Sequence, residues 1–291
     1  MSDCTGRSAA ASSSVVSSSV VESEADESVV EWEVDESVDA GSEPRTTHGG
    51  VSPSASASAA FRVGTAPDVV GTRMAGPGIR YVEIARALSS TISVTFAIGV
   101  EGSSAVDFGA ADVTVARYGS RDELERIVDG CDIVFCQMID TNVVRYAVAR
   151  GVRVIYDLYN ALPVETIGSE RISGFTDAIG RDREYTELLK YFRFCSITGS
   201  GFVASNERQR DWWLGFIMAS GGIIPTTLDG RNADEIVSLV PFGMQEQAPV
   251  ARRHGLRGQH GITDDDFVVL WAGGIWDWFD AETPIRAVAE I

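Results

Sequence analysis

"CDIVFCQMIDTNVVRYAVARGVRVIYDLYN", residues 131 to 160, holds the pattern that decides the fold. "DIVFCQ" is a short apolar run between polar residues, as expected of a strand buried on both faces. "TNVVRYAVAR" follows at helical spacing, Gly151 stops it, and "VRVIY" is again β-branched and apolar. Strand, helix and strand joined by short connections make a right-handed βαβ unit, so the sheet is parallel and covered by helices.

The same alternation extends in both directions. Upstream, "FRVGTA" (61 to 66) is a strand candidate, and "ISVTFAI" (92 to 98) puts Ile92, Val94, Phe96 and Ile98 on one face. "VTVARY" (113 to 118) is a short β-branched strand, and "RDELERIVDG" (121 to 130) is a helix with Leu124, Ile127 and Val128 inward and Gly130 as its stop. Downstream come the strand "FVAS", the helix "NERQRDWWLGFIMAS" and the strand "IVSLV", ending at Pro241, Phe242 and Gly243. The expected architecture is an α/β, Rossmann-like parallel-sheet domain over residues 61 to 243. Residues 244 to 266 are polar and contain glycines, as an interdomain connection does. "FVVLWAGG" reads as a new strand, and residues 267 to 291 as the first βα unit of a second Rossmann-like domain. A lone βα unit cannot bury its own apolar face, so this end is expected to be incomplete or to pack on something else.

Composition sets the remaining bounds. The first sixty residues are dominated by Ser, Ala, Val, Glu and Asp, with eleven acids against Arg7 and Arg45, and read as a disordered acidic tail. Half of the formal charge of −18 therefore sits there. No stripe of Lys and Arg is present to follow a phosphate backbone, which argues against a nucleic-acid partner. Lys190 is the sole lysine. The N-terminus lacks the basic start and apolar core of a signal peptide, and no run of about 18 apolar residues occurs, so a soluble cytoplasmic protein is expected. Cys4, Cys131, Cys136 and Cys195 form no CxxC pair and read as reduced, with no metal site expected.

Ligands of open α/β sheets bind outside the carboxyl ends of the strands, which directs attention to the loops that follow them. After the first strand, "GTRMAGPGIRYVEIARAL" (71 to 88) sets a glycine-and-proline loop before an amphipathic helix. Gly76 and Gly78 allow close backbone approach, the helix start offers free amides to phosphate or sugar oxygens, and Arg80 is near enough to add charge. The bland alternative is a tight turn shaped by glycine and proline alone. A nicotinamide fingerprint is the rival motif, with Glu101 placed 23 residues beyond Gly78 as its ribose-binding acid. Tyr81 stands where its third glycine belongs, which weakens it. After "VRVIY", Asp157 falls at the strand's carboxyl end with Tyr159, Asn160 and Glu165 close behind, carboxylates and amides suited to sugar hydroxyls or, for Asp157, to general-base work. An Asx turn before Pro163 is the structural alternative. In "NERQRDWWLGF", Trp212, Trp213 and Phe216 read as core, with membrane-surface docking the lesser reading.

Taken together, "MAGPGIRYVEIARAL", "DLYNALPVE", "NERQRDWWLGF", "VPFG" and "LWAGGIWDWFDAETPIRAVA" resemble, in this order, the family-4 type glycosyltransferases of the GT-B fold. The resemblance runs from about Phe61 to Ile291. It implies a nucleotide-sugar donor, transfer with retention to a glycan, lipid or small-molecule acceptor, no obligatory metal and no other cofactor. It also implies that Gly76, Gly78 and Arg80 face the donor diphosphate, that Gly273, Gly274, Trp276 and Asp277 form the first loop of the donor domain, and that Tyr159, Asn160 and Glu165 serve the substrate. Asp157 stands in for a histidine that many members carry near the cleft, since His48, His254 and His260 lie elsewhere. The basic pair and paired glutamates that hold the donor in the family would lie beyond Ile291, so the chain alone is expected to be catalytically poor. Such an enzyme works in polysaccharide or glycolipid assembly at the inner face of the membrane. The alternative is a non-catalytic Rossmann-like module that pairs with another chain completing the donor domain.

Overall fold

The computed structural model describes residues 58–62, 74, 76–100, 105–169, 172, 174–243, 250, 255–272 and 279–290. Seven strands form one parallel sheet in the order β3-β2-β1-β4-β5-β6-β7. They are β1 (Ser58–Arg62), β2 (Ser93–Gly99), β3 (Val113–Tyr118), β4 (Ile133–Cys136), β5 (Arg153–Asp157), β6 (Gly201–Ala204) and β7 (Val237–Leu239). This is the Rossmann-like arrangement expected from the alternating pattern.

The central strand, β1, pairs with both β2 and β4, Phe61 standing opposite Phe96 on one side and Phe135 on the other. It begins at Ser58, so its first residues come from the stretch expected to belong to the tail. Small Ser and Ala side chains weaken the apolar signal, yet both edges of the strand are hydrogen-bonded by neighbours, and pairing decides over composition. Residues 63 to 66 of the expected strand lie outside the described residues.

Helices α1 (Gly76–Ser89), α2 (Arg121–Val128), α3 (Thr141–Ala149), α4 (Leu162–Thr166), α5 (Ala178–Thr198) and α6 (Glu207–Ala219) lie between the strands; α7 (Pro225–Leu228) and α8 (Ala233–Ile236) are single turns before β7. Right-handed crossovers dictate which face each occupies. From β1 to β2 the chain moves one way, and α1 buries Tyr81, Val82 and Ala85 against Val94, Phe96, Ile98 and Phe135. At β4 the direction reverses, so α2, α3, α5 and α6 cover the opposite face through Leu124, Val128, Val143, Val144, Ala147, Phe192, Trp213 and Ile217. Trp213 is the bulkiest fully buried side chain and packs on Phe192 at 5.2 Å. Truncation of such a residue costs about 3–5 kcal/mol. Cys136 and Cys195 are buried and Cys131 is half-buried.

Side chains cap helices α2, α3, α5 and α6. Ser120 accepts from the Glu123 amide, Asp140 from Asn142, Asp177 from Gly180 and Asn206 from Gln209, each supplying a first-turn amide with an acceptor. The 21-residue α5 spans "AIGRDREYTELLKYFRFCSIT", where the interspersed Arg, Asp, Glu and Lys residues blur the apolar stripe formed by Tyr191, Phe192 and Cys195.

Two expectations need correction. The glycine-proline stretch is not wholly a loop: Gly76, Pro77 and Gly78 form the first turn of α1, where a proline's fixed φ fits and its missing N–H has no helical partner to lose. Nor does Phe267 to Ala272 form a strand. Its backbone finds no neighbour among the described residues to complete a ladder, and Phe267 and Leu270 are exposed. The helix expected after it does form, as α9 (Glu282–Ala289), with Ile285 and Val288 exposed. Residues 255 to 266 are a tight turn structure in which Arg257 Nη1 donates to the carbonyls of Thr263, Asp264 and Asp266. No described helix is long and apolar enough to cross a membrane.

Candidate functional site

In a sheet of this order the chain changes direction between β1 and β4, the position at which open α/β sheets take ligands outside the carboxyl ends of their strands. The N-terminus of α1 belongs to this edge, as do the residues following β4, β5, β6 and β7.

The dominant feature is an ion pair. Arg80, in the second turn of α1, donates from Nε to Asp157 Oδ2 at 2.8 Å and from Nη2 to Oδ1 at 2.9 Å. Their side chains are 2% and 0% exposed. Two aromatic rings close over the guanidinium, Phe242 at 4.9 Å and Tyr159 at 5.5 Å, and meet each other edge to face. One clamp thus joins α1, the end of β5 and the segment after β7. Burial pushes the Asp157 carboxyl above its usual range, and the two hydrogen bonds and positive charge of Arg80 oppose that rise. Arg80 is therefore committed inward and does not present its charge outside the strand ends, contrary to its expected role beside a donor diphosphate. Asp157 is likewise occupied at both oxygens, so its geometry is that of a positioning residue for Arg80 and not of a free base.

Beside the clamp runs a chain of polar side chains. Gln137 Nε2 donates to Asn160 Oδ1 at 2.7 Å, and Asn160 Nδ2 donates to Glu165 Oε2 at 2.8 Å. Gln137 is the first residue past β4, and Glu165 lies in α4. The backbone beneath is pinned at three points: Leu158 N–H to the Val203 carbonyl, Ser205 Oγ to that of Tyr159, and Trp213 Nε1 to that of Asn160. Ser205 in turn bonds Gln209. The three expected substrate residues, Tyr159, Asn160 and Glu165, thus lie together beside Asp157 and Arg80. Gln137 and Phe242 join them without having been singled out. Their signal was positional, since both follow a strand on the edge where ligands bind.

Tyr81 lies deeper, 1% exposed, its ring 5.7 Å from Phe135. Its bulk fills the helix–sheet contact where a dinucleotide motif needs glycine. Its hydroxyl has no partner among the described residues; burial first, then the charge of Asp157, holds it well above the ordinary phenol range. At α1 itself, Gly76 has open space where a side chain would stand, and Gly78 is backed by Met74 at 3.5 Å. The first-turn amides have no acceptor within the helix. Gly273, Gly274, Trp276, Asp277 and Glu101 lie outside the described residues. No group of His, Cys, Asp and Glu side chains among the described residues is arranged to hold a metal ion.

No family model matches the chain, and no curated protein matches it.

Proposed function

We propose that the chain is a glycosyltransferase that uses a nucleotide-sugar donor, with the Rossmann-like domain as its acceptor side. The observation that carries the reading is the start of α1, a fourteen-residue helix, at the carboxyl edge of a parallel sheet beside its reversal point. Free amides and the positive end of the helix dipole suit a diphosphate there, and stabilising the departing diphosphate is the chief electrostatic demand of glycosyl transfer. The order of motifs named above adds retention of configuration and an acceptor bound by the residues after β4 and β5. Gly76 leaves room for the diphosphate and Gly78 packs the turn against Met74, while Arg80 keeps the loops in place through Asp157. The remaining donor contacts would come from Gly273, Gly274, Trp276 and Asp277. Work at the cytoplasmic face of a membrane, on a glycan or lipid acceptor, belongs to the same proposal.

Calorimetric titration of the 291-residue chain with UDP-, GDP- and dTDP-sugars tests it. Binding of one donor type is expected; no heat from any of them contradicts the reading.

A second reading has its own observation. Phe267, Val269, Leu270, Ile285 and Val288 are all more than half exposed, which is unusual for residues of this size in one short segment. They favour a non-catalytic module that pairs with another chain through residues 267 to 270 and helix α9. Sedimentation that shows a monomer at all concentrations would remove this reading.

A further inference from the structure

The two outer edges of the sheet differ. β7 closes one side after three residues, whereas β3 runs for six and, among the described residues, pairs with β2 alone. We propose that the outer edge of β3 is a homodimer interface, at which two copies of the chain pair their β3 strands antiparallel about a two-fold axis through Val115 and continue the sheet from one copy into the other. This holds whether or not the chain is a transferase.

The topology keeps helices away from this edge. α1 connects β1 to β2 and α2 connects β3 back to β4, so both lie inboard of β3. Thr114, Val115 and Arg117 are exposed as a result, Val115 at 43%. An edge strand offers a row of N–H and C=O groups to a further strand, and proteins block that pairing with proline, lysine, a bulge or a short length. "VTVARY" carries no proline or lysine, and its register against β2 runs without interruption from Val113 to Tyr118.

Symmetry then restricts the partner. A two-fold axis perpendicular to the sheet joins identical strands antiparallel and keeps their faces in common, so only residues of the same face stand opposite each other. Val113 packs with the cluster under α1 and Tyr118 with the cluster on the other face. Alternation therefore puts Val115 and Arg117 on the α1 side, and Thr114 and Ala116 on the other. With Val115 on the axis, the two Val115 side chains meet, a favourable β-branched pair, Thr114 faces Ala116, and Arg117 faces Val113. Charge selects this register. Arg117 comes within one position of the second copy's Asp112, whereas an axis through Arg117 would oppose two guanidinium groups. Asp112 is exposed and lies at a turn closed by the Val113 N–H and the Ala111 carbonyl, 3.1 Å, ahead of the ladder, so the pleat does not dictate its side. The strand is thus acidic before its start and basic near its end, and antiparallel pairing matches the two ends twice.

Sedimentation equilibrium of the full chain over a wide concentration range is the test, and a reversible monomer–dimer equilibrium is expected. Val115→Lys, which sets two ammonium groups across the axis, should weaken the dimer by about tenfold or more. Arg117→Asp should weaken it as well, and adding Asp112→Arg to that variant should restore the affinity to within about threefold of wild type. Ile285→Asp with Val288→Asp, on α9, should leave it unchanged. A monomer at every concentration, a dimer indifferent to Val115→Lys, or no recovery in the double charge reversal overturns the inference. Association lost only in the α9 variant overturns it too, and assigns pairing to α9 instead. Thermal melts of each variant separate lost pairing from lost folding; if Val115→Lys melts early, the charge reversal and its restoration decide.

Discussion

Replacing Arg80 by Met leaves Asp157 at the end of β5 with no cation and, at 0% side-chain exposure, almost no water. Breaking a buried pair from one side costs about 3–5 kcal/mol, because the remaining charge stays desolvated. Loss of the contacts with Phe242 and Tyr159 adds about 0.5–2 kcal/mol. With a urea slope of about 2–3 kcal/mol per molar, the midpoint should fall by roughly 1–3.5 M. The double replacement Arg80→Met with Asp157→Leu should recover most of that loss, since an apolar pair of similar volume is often neutral or better. Protons supply a second readout. Burial raises the Asp157 carboxyl in the folded chain, so the folded state holds this proton more tightly than the unfolded state. The associated stability is present at low pH and lost as pH rises through the folded value. Without Arg80 that value rises further, and the variant's deficit should shrink as pH falls from about 8 to about 5. Urea unfolding of wild type, both single variants and the double variant across that range is the assay. A loss below about 1 kcal/mol in Arg80→Met, strict additivity in the double variant, or a deficit indifferent to pH would refute the reasoning.

Gly222→Ala would bring a Cβ within 2.1 Å of the Ser196 carbonyl oxygen and should cost about 1–3 kcal/mol or more, whereas Gly76→Ala meets nothing within 4 Å and should leave the unfolding midpoint nearly unchanged. Tyr191→Phe removes the hydroxyl that accepts from the Ile139 amide at 2.8 Å, and should cost about 1–3 kcal/mol by thermal melt because that buried amide is then orphaned. Burial pushes the Cys195 thiol up to about 12, so native protein at mildly alkaline pH should alkylate at Cys131 well before Cys195, as peptide mapping would show.

How much of this could be read from the chain depends on where the signal lay. Strands β2 to β7 were legible because β-branched runs alternate with helices stopped by Gly130 and Gly151, and period and punctuation are local properties. Helix α5 carried no comparable mark, since its buried Tyr191, Phe192 and Cys195 sit among Arg, Asp and Glu residues that dilute the stripe. At the site, Asp157, Tyr159, Asn160 and Glu165 could be placed together by sequence proximity and by the rule that strand ends bear ligands. The pairing of Arg80 with Asp157 spans 77 positions, and no local pattern encodes which way an arginine on a second helical turn will face. Gln137 and Phe242 were hidden for the same reason, as each gains its meaning from a neighbour on another strand. The strand expected at "FVVLWAGG" shows the converse limit: β-propensity in isolation does not make a strand without a partner edge.

Amide hydrogen exchange over peptides spanning residues 74 to 82, with and without UDP-, GDP- and dTDP-sugars, addresses the central claim most directly. One donor type should slow exchange at the first turn of α1, where its diphosphate covers the free amides. Unchanged exchange there with every donor, or protection confined to other segments, would contradict the account.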